Sequence, residues 1–125
     1  MSSTISAICI TLLGLIHLLP SSGVLGPERL SRLYGIPIDE PNLEILMRHR
    51  AALFAVLGLF LIGAAWHPDW QTLAYWAAGI SVLSFVAIAH HVGHMNPAMH
   101  RVMTVDWLAV LILIIGFLAH VVSQP

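Results

Sequence analysis

The amino-acid sequence predicts an all-α integral membrane protein: an antiparallel four-helix bundle with a short interfacial helix in its first loop. Three observations carry that prediction. Apolar residues make up 58% of the chain and charged residues 9%, against roughly 45–50% and about 25% in soluble domains. A water-facing surface could not be covered with so little charge, whereas a lipid-facing one needs none. Four apolar stretches approach the ~20 residues that cross a hydrocarbon core. The joint between the second and third is a tight turn, which makes those neighbours antiparallel. At 125 residues the chain holds one domain, with spans expected over about residues 4–20, 43–66, 70–91 and 99–122 and the interfacial helix over about 27–34.

The first apolar stretch runs from Ile5 to Leu19 and stops at Pro20. Ser21-Ser22-Gly23 could pass for a cleavage region, but Met1-Ser2-Ser3-Thr4 carries no positive side chain, which secretory signal peptides need. The segment is therefore read as a retained helix. Cys9 is the only cysteine, so no disulfide and no CxxC pair forms within the chain, and quinone-linked thiol oxidoreductases are excluded. It is read as a small packing residue.

Residues 21–42 form the one long loop. Within it Pro27 suits a first helical turn and Gly35 a helix end, and Glu28 and Arg32 make a favourable i,i+4 pair. Leu30, Leu33 and Tyr34 share one face, so this helix is expected to lie flat on the membrane surface; the alternative is an ordinary solvated loop helix. Asp39-Glu40-Pro41-Asn42 is turn chemistry that starts the second span, with a helical lead-in from Pro41. Ala51–Trp66 is then apolar on every face, unlike a soluble core helix. His67-Pro68-Asp69 forms the turn to the third span, and Trp66 and Trp70 beside it mark a lipid–water boundary. The third span runs from about Trp70 to His91. Asn96-Pro97 opens the fourth, with Pro97 at a first helical position.

Orientation follows from arginine, since the chain has no lysine. Arg29, Arg32, Arg48, Arg50 and Arg101 all fall on the side of residues 21–42 and 92–101. The positive-inside rule puts these connections in the cytoplasm and both termini in the periplasm. With a formal net charge of -1, nothing suggests nucleic acid as a partner; the expected partner is the lipid bilayer, with a homo-oligomer or a larger membrane complex left open.

On this topology four helices send ionisable groups to one level. His17 closes span one; Glu44, Arg48, His49 and Arg50 open span two; His90, His91 and His94 close span three; His100, Arg101 and Asp106 open span four. Only His67, Asp69 and His120 sit at the opposite end. Ionisable groups at membrane depth are costly, face inward, and pair or mark function. The candidate ligand-binding set is therefore His17, Glu44, Arg48, His49, Arg50, His91 and Asp106. In span three Ala74, Ala77, Ser81, Ser84 and Ile88 recur at helical spacing. Small residues let helices approach closely, and His91 continues that face, so it is expected to point into the bundle. Asp106 lies about 7.5 Å inside Arg101 along a helix, and Arg48 or Arg50 is its expected partner, because a lone buried carboxylate would protonate. The plainer alternative is a structural ion pair that fixes helix register.

His90 and His94 stand at i,i+4, a spacing found in metal sites, and His100 or His17 could add a third ligand. Against a metal ion, Gly93 loosens the helix there and no carboxylate is adjacent in sequence. A haem between histidines of two helices is geometrically open but has no further cue. His91-Val92-Gly93-His94 matches the HxGH string of soluble nucleotidyltransferases. That motif works beside a strand of an α/β domain, and a short pattern outside its structural context is a coincidence.

Over nearly its whole length the chain resembles a group of small, uncharacterised bacterial inner-membrane proteins. The resemblance is carried by Gly14-Leu15-Ile16-His17-Leu18-Leu19-Pro20, by Leu25-Gly26-Pro27-Glu28-Arg29-Leu30 with Leu33-Tyr34-Gly35, and by Asn42-Leu43-Glu44-Ile45-Leu46-Met47-Arg48-His49-Arg50-Ala51. Proteins that look like this often carry the label phosphopantetheine adenylyltransferase, which these residues do not support. The resemblance implies a fold and a location and no reaction. The functional expectation is a polar pocket at the cytoplasmic end of the bundle that binds a small polar or anionic ligand or a lipid head group. Arg48 and Arg50 would hold the anion, Asp106 would set their charge, and His49 and His91 would move protons. A membrane-embedded enzyme using that pocket, or an accessory subunit of a larger complex, are the alternatives.

Overall fold

The structure, a computed structural model describing residues 1–125, is all-helical and contains no strand. Its elements are α1 (Ser2–Leu18), a tight 3₁₀ coil over Leu19–Leu25, α2 (Pro27–Tyr34), α3 (Pro41–Ala65), α4 (Pro68–Val92) and α5 (Pro97–Ser123). The first helix with its coil, α3, α4 and α5 are each long and apolar enough to cross a membrane, which makes the chain a multi-pass membrane protein. Leu53, Val56, Leu59, Leu73, Ile80 and Leu111 are among the large apolar side chains on the bundle's exterior, an arrangement stable against lipid and not against water.

Sequence chemistry starts each helix. Pro41, Pro68 and Pro97 all occupy the first turn, where their missing N–H costs no hydrogen bond. The Glu40 carboxylate caps α3 by accepting from the amides of Asn42 (3.0 Å) and Leu43 (2.9 Å). The Asn96 side chain caps α5 through the Met99 amide at 2.7 Å. Pro20 does not end the first helical run as expected: the chain tightens at Leu19 and continues to Leu25, because a proline early in a 3₁₀ turn needs no N–H donor. The turn after α3 is also shorter than expected, since Pro68 and Asp69 belong to the first turn of α4.

In the bundle α1 packs against α3 and α5, and α4 packs against the same two helices, so α1 and α4 face each other across the diagonal. The main core comprises Ile10 and Leu13 of α1, Leu61, Ala64 and Ala65 of α3, Ala74, Tyr75, Ala78 and Val82 of α4, and Ala109 of α5. The backbones of α1 and α3 meet closely at Gly14 and Gly58. A β-carbon on either would come within 2.9 Å of the other's carbonyl oxygen, which leaves room for glycine alone at this crossing.

Helix α2 sits elsewhere than expected. Leu30 and Tyr34 are buried, and with Ile38 they form a second core against Leu43 and Met47 of α3 and Met99 and Val102 of α5. The apolar face read as lying on lipid is turned onto the bundle, because apolar side chains at the starts of α3 and α5 offer it protein to cover. Gly35 closes α2 in the left-handed region at φ 65°. Asn96 Nδ2 donates to the carbonyls of Tyr34 (2.9 Å) and Gly35 (3.2 Å), so α2 is fastened to the start of α5 as a roof.

Candidate functional site

Beneath that roof, at the arginine-bearing end, is a cavity of about 250 Å³. Its polar lining comes from every helix: His17 of α1, Arg32 and Tyr34 of α2, Arg50 of α3, Ser81 of α4, and Arg101 and Asp106 of α5. Apolar walls are supplied by Ile16, Leu33, Phe54, Phe85, Val102 and Val105. Ala98, Arg101, Val102, Val105 and Asp106 reach it from one face of α5 at spacings of three and four residues.

Arg50 is the most constrained cation. Its Nη1 donates to the Tyr34 hydroxyl at 2.6 Å, and its guanidinium carbon lies 4.7 Å from the Phe54 ring centroid and 5.3 Å from that of Tyr34. These contacts hold the guanidinium plane while leaving other N–H groups free. His17 is buried. Its Nδ1 bonds the Leu13 carbonyl at 2.7 Å, so that nitrogen carries the proton, and in the neutral ring Nε2 accepts from Ser81 Oγ at 3.0 Å.

The expected pairing of Asp106 is corrected by this geometry. The chain's single ion pair is Arg48–Glu44 at 3.1 Å. Asp106 lines the cavity with Arg50, but no arginine closes on it as an ion pair. Arg48 instead points outward: beyond Glu44, its Nε donates to the Val24 carbonyl at 3.0 Å and staples the 3₁₀ coil to α3. Arg48 and Arg50 are two positions apart, about 200° around a helix, so only one of them can face the cavity.

Of the candidate set, the structure brings His17, Arg50 and Asp106 together and leaves Glu44, Arg48, His49 and His91 outside the cavity. His49 and His91 are exposed. The buried stripe of α4 runs Gln71, Ala74, Tyr75, Ala78, Val82, Val86 and Ala89. The stripe through Ser84 and Ile88 departs from it toward the flank, and His91 stands about 200° from Ala89. The metal-ligand reading of His90, His94 and His100 is likewise corrected. Helix α4 ends at Val92 with Gly93 and His94 at positive φ, which breaks the i,i+4 relation, and no three histidine, cysteine or carboxylate side chains converge. His91-Val92-Gly93-His94 thus straddles a helix end in an all-helical chain.

Arg32, Tyr34, Ser81 and Arg101 went unrecognised as site residues. Arg32 was read as a topology signal and as a helix partner of Glu28, and Arg101 as a topology signal within the polar level; the three–four spacing down α5 from Ala98 to Asp106 was the cue available for Arg101.

A second polar network lies buried at the opposite end. Ser6 Oγ donates to Gln71 Oε1 (2.8 Å), and Gln71 Nε2 donates to the Ala65 carbonyl (2.9 Å). The Tyr75 hydroxyl donates to the Ser6 carbonyl (3.1 Å). His120 Nδ1 donates to Gln71 Oε1 (3.2 Å), and its Nε2 accepts from the Thr72 hydroxyl (2.8 Å). No buried side-chain nitrogen or oxygen is left without a partner, so this network is a structural tie among α1, α3, α4 and α5. Comparison with protein-family models, curated proteins and solved structures finds no match.

Proposed function

We propose that this is a small bacterial inner-membrane protein whose cavity binds an anionic ligand or lipid head group at the cytoplasmic end of the bundle, with both termini periplasmic. The observation that carries the reading is the set of Arg32, Arg50 and Arg101, three guanidinium groups from three different elements lining one cavity whose only carboxylate is Asp106. The chain's one ion pair lies outside it, so the cavity has an excess of two formal positive charges over apolar walls. Guanidinium N–H groups match the oxygens of phosphate and carboxylate in pairs. Arg50, held by Tyr34 and Phe54, is the preorganised contact; Arg32 and Arg101 flank it from the aqueous edge. The all-arginine asymmetry of the two ends supports the orientation, and the sequence resemblance supports the location.

The detergent-solubilised protein should be stabilised against heat by inorganic phosphate, as any ligand that binds only the folded state requires. Arg50→Gln should lose that stabilisation and His49→Gln should keep it. Absence of any phosphate effect, or an equal effect in Arg50→Gln, would defeat the reading. A C-terminal reporter active only in the cytoplasm would overturn the orientation independently.

A further inference from the structure

From a second cavity that adjoins the arginine cavity on the flank of the bundle, we infer that the arginine cavity's ligand is an anionic amphiphile that enters from the bilayer between α3 and α4, an inference that rests on the anion-binding reading above. A second cavity, lined by Arg50, Leu53, Phe54, Leu57, Ser81, Ser84, Phe85 and Ile88, lies on the flank of the bundle. It shares Arg50, Phe54, Ser81 and Phe85 with the arginine cavity, so those four side chains form a common wall between the two spaces. Leu53 is 54% exposed and Ile88 63% exposed, which places the outer rim on the lipid-facing surface. The small side chains of Ser81 and Ser84 keep α4 from filling the gap against α3.

The polarity of this groove is graded along its α3 wall. Along α3 it begins at Arg50 and ends at Leu57, a run of about 10 Å at helical rise, with Leu53 and Phe54 between. On the α3 side, moving away from the charged end, the lining changes from guanidinium to hydrocarbon, which is the order of groups in a lipid from acidic head to acyl chain. Antiparallel α4 sets Ile88 toward the charged end and Ser81 deepest. Meanwhile α2 roofs the end of the bundle, with Leu33 and Tyr34 contributing to the cavity lining. The occupant that satisfies both spaces has a phosphate or carboxylate among Arg32, Arg50 and Arg101 and an acyl chain leaving past Leu53 and Leu57. Charge complementarity selects the head, and the groove that adjoins the head site across Arg50, Phe54, Ser81 and Phe85 selects the tail. A free inorganic anion would use the first cavity alone.

The two sources of the acidic group are separated by comparing phosphatidic acid with inorganic phosphate. Protein reconstituted in phosphatidylcholine nanodiscs containing a few per cent phosphatidic acid is extracted, and retained lipid is counted by native mass spectrometry. Phosphate binding is followed by calorimetry on the same protein. Ser84→Phe on α4 and Leu53→Trp on α3 each fill the side opening without touching the arginine cavity. Either variant should lower phosphatidic acid retention about tenfold and leave phosphate binding unchanged, which also shows that the variant is folded. Arg50→Gln should lose both ligands. Phosphatidic acid retained at the wild-type level by both blocked variants, or phosphate binding without any retention of phosphatidic acid, overturns the lateral route and leaves the anion-binding reading standing. Failure of the wild type to bind either anion, or indifference of both to Arg50→Gln, overturns the anion-binding reading as well.

Discussion

Arg50 and Tyr34, sixteen residues apart in sequence, are joined by a 2.6 Å hydrogen bond from guanidinium to phenol that ties the roof helix α2 to the spanning helix α3. The same guanidinium lies over the Tyr34 and Phe54 rings, so one arginine both closes the bundle's end and faces its cavity. Tyr34→Phe keeps the ring and removes the hydroxyl. It should cost about 1.5–3 kcal/mol, the usual worth of a hydrogen bond to a charged group, read by denaturant unfolding in detergent. A stability equal to wild type would show that Arg50 finds another partner at no cost.

Gly14 and Gly58 predict the second outcome. Each would place a β-carbon within 2.9 Å of the other's backbone oxygen, an atom that moves only with its helix. Gly58→Leu should destabilise by at least the ~1–3 kcal/mol of overpacking. Gly63 lies on the same helix with nothing within 4 Å of its β-carbon position, and Gly63→Ala should be neutral or slightly stabilising. Equal tolerance at both positions would mean that α1 and α3 can separate freely.

Gln71 is the shared acceptor of Ser6 and His120. Gln71→Leu leaves two buried donors without their partner at roughly 1–3 kcal/mol each. The double variant Gln71→Leu with Ser6→Ala should recover part of the loss, since one stranded donor is then gone. A double-mutant cycle with no coupling would contradict the network.

Asp106 is the carboxylate of the arginine cavity and is not closed in an ion pair. Asp106→Asn should therefore change stability little, in contrast to the large loss expected had a buried pair been broken. It should tighten phosphate binding by about tenfold, because one negative charge leaves a site of low effective dielectric. Weaker binding in Asp106→Asn would show that the carboxylate positions the cations instead of opposing the anion.

Glu40 supplies the pH dependence. Hydrogen bonds from the Asn42 and Leu43 amides hold its carboxyl below the ordinary glutamate range. A depressed folded-state pKa means that the cap contributes above the unfolded pKa and is lost as pH falls through the folded one. Amide exchange at Asn42 and Leu43 should accordingly lose protection on acidification below the ordinary glutamate range and not between pH 6 and 8. Glu40→Ala should remove the acid-induced step.

Much of the architecture is legible in the sequence because its causes are local. Apolar length sets the spans, Pro41 and Pro97 with their caps set two helix starts, and Pro27 and Gly35 bracket α2. The convergence of charge at one end follows from helix order alone, which is why His17, Arg50 and Asp106 could be singled out. Which member of that set faces inward is a question of rotation about each helix axis. A helix that is apolar all round carries no amphipathic signal to settle it. Tertiary packing alone decided that Arg50 turns in while Arg48 turns out to Glu44 and Val24, and that α4 buries Val86 and Ala89 and leaves His91 exposed. Packing also turned α2 from the lipid onto the bundle, where Leu30 and Tyr34 met a protein surface formed by α3 and α5, and so made a cavity from residues of all five helices that no local pattern connects.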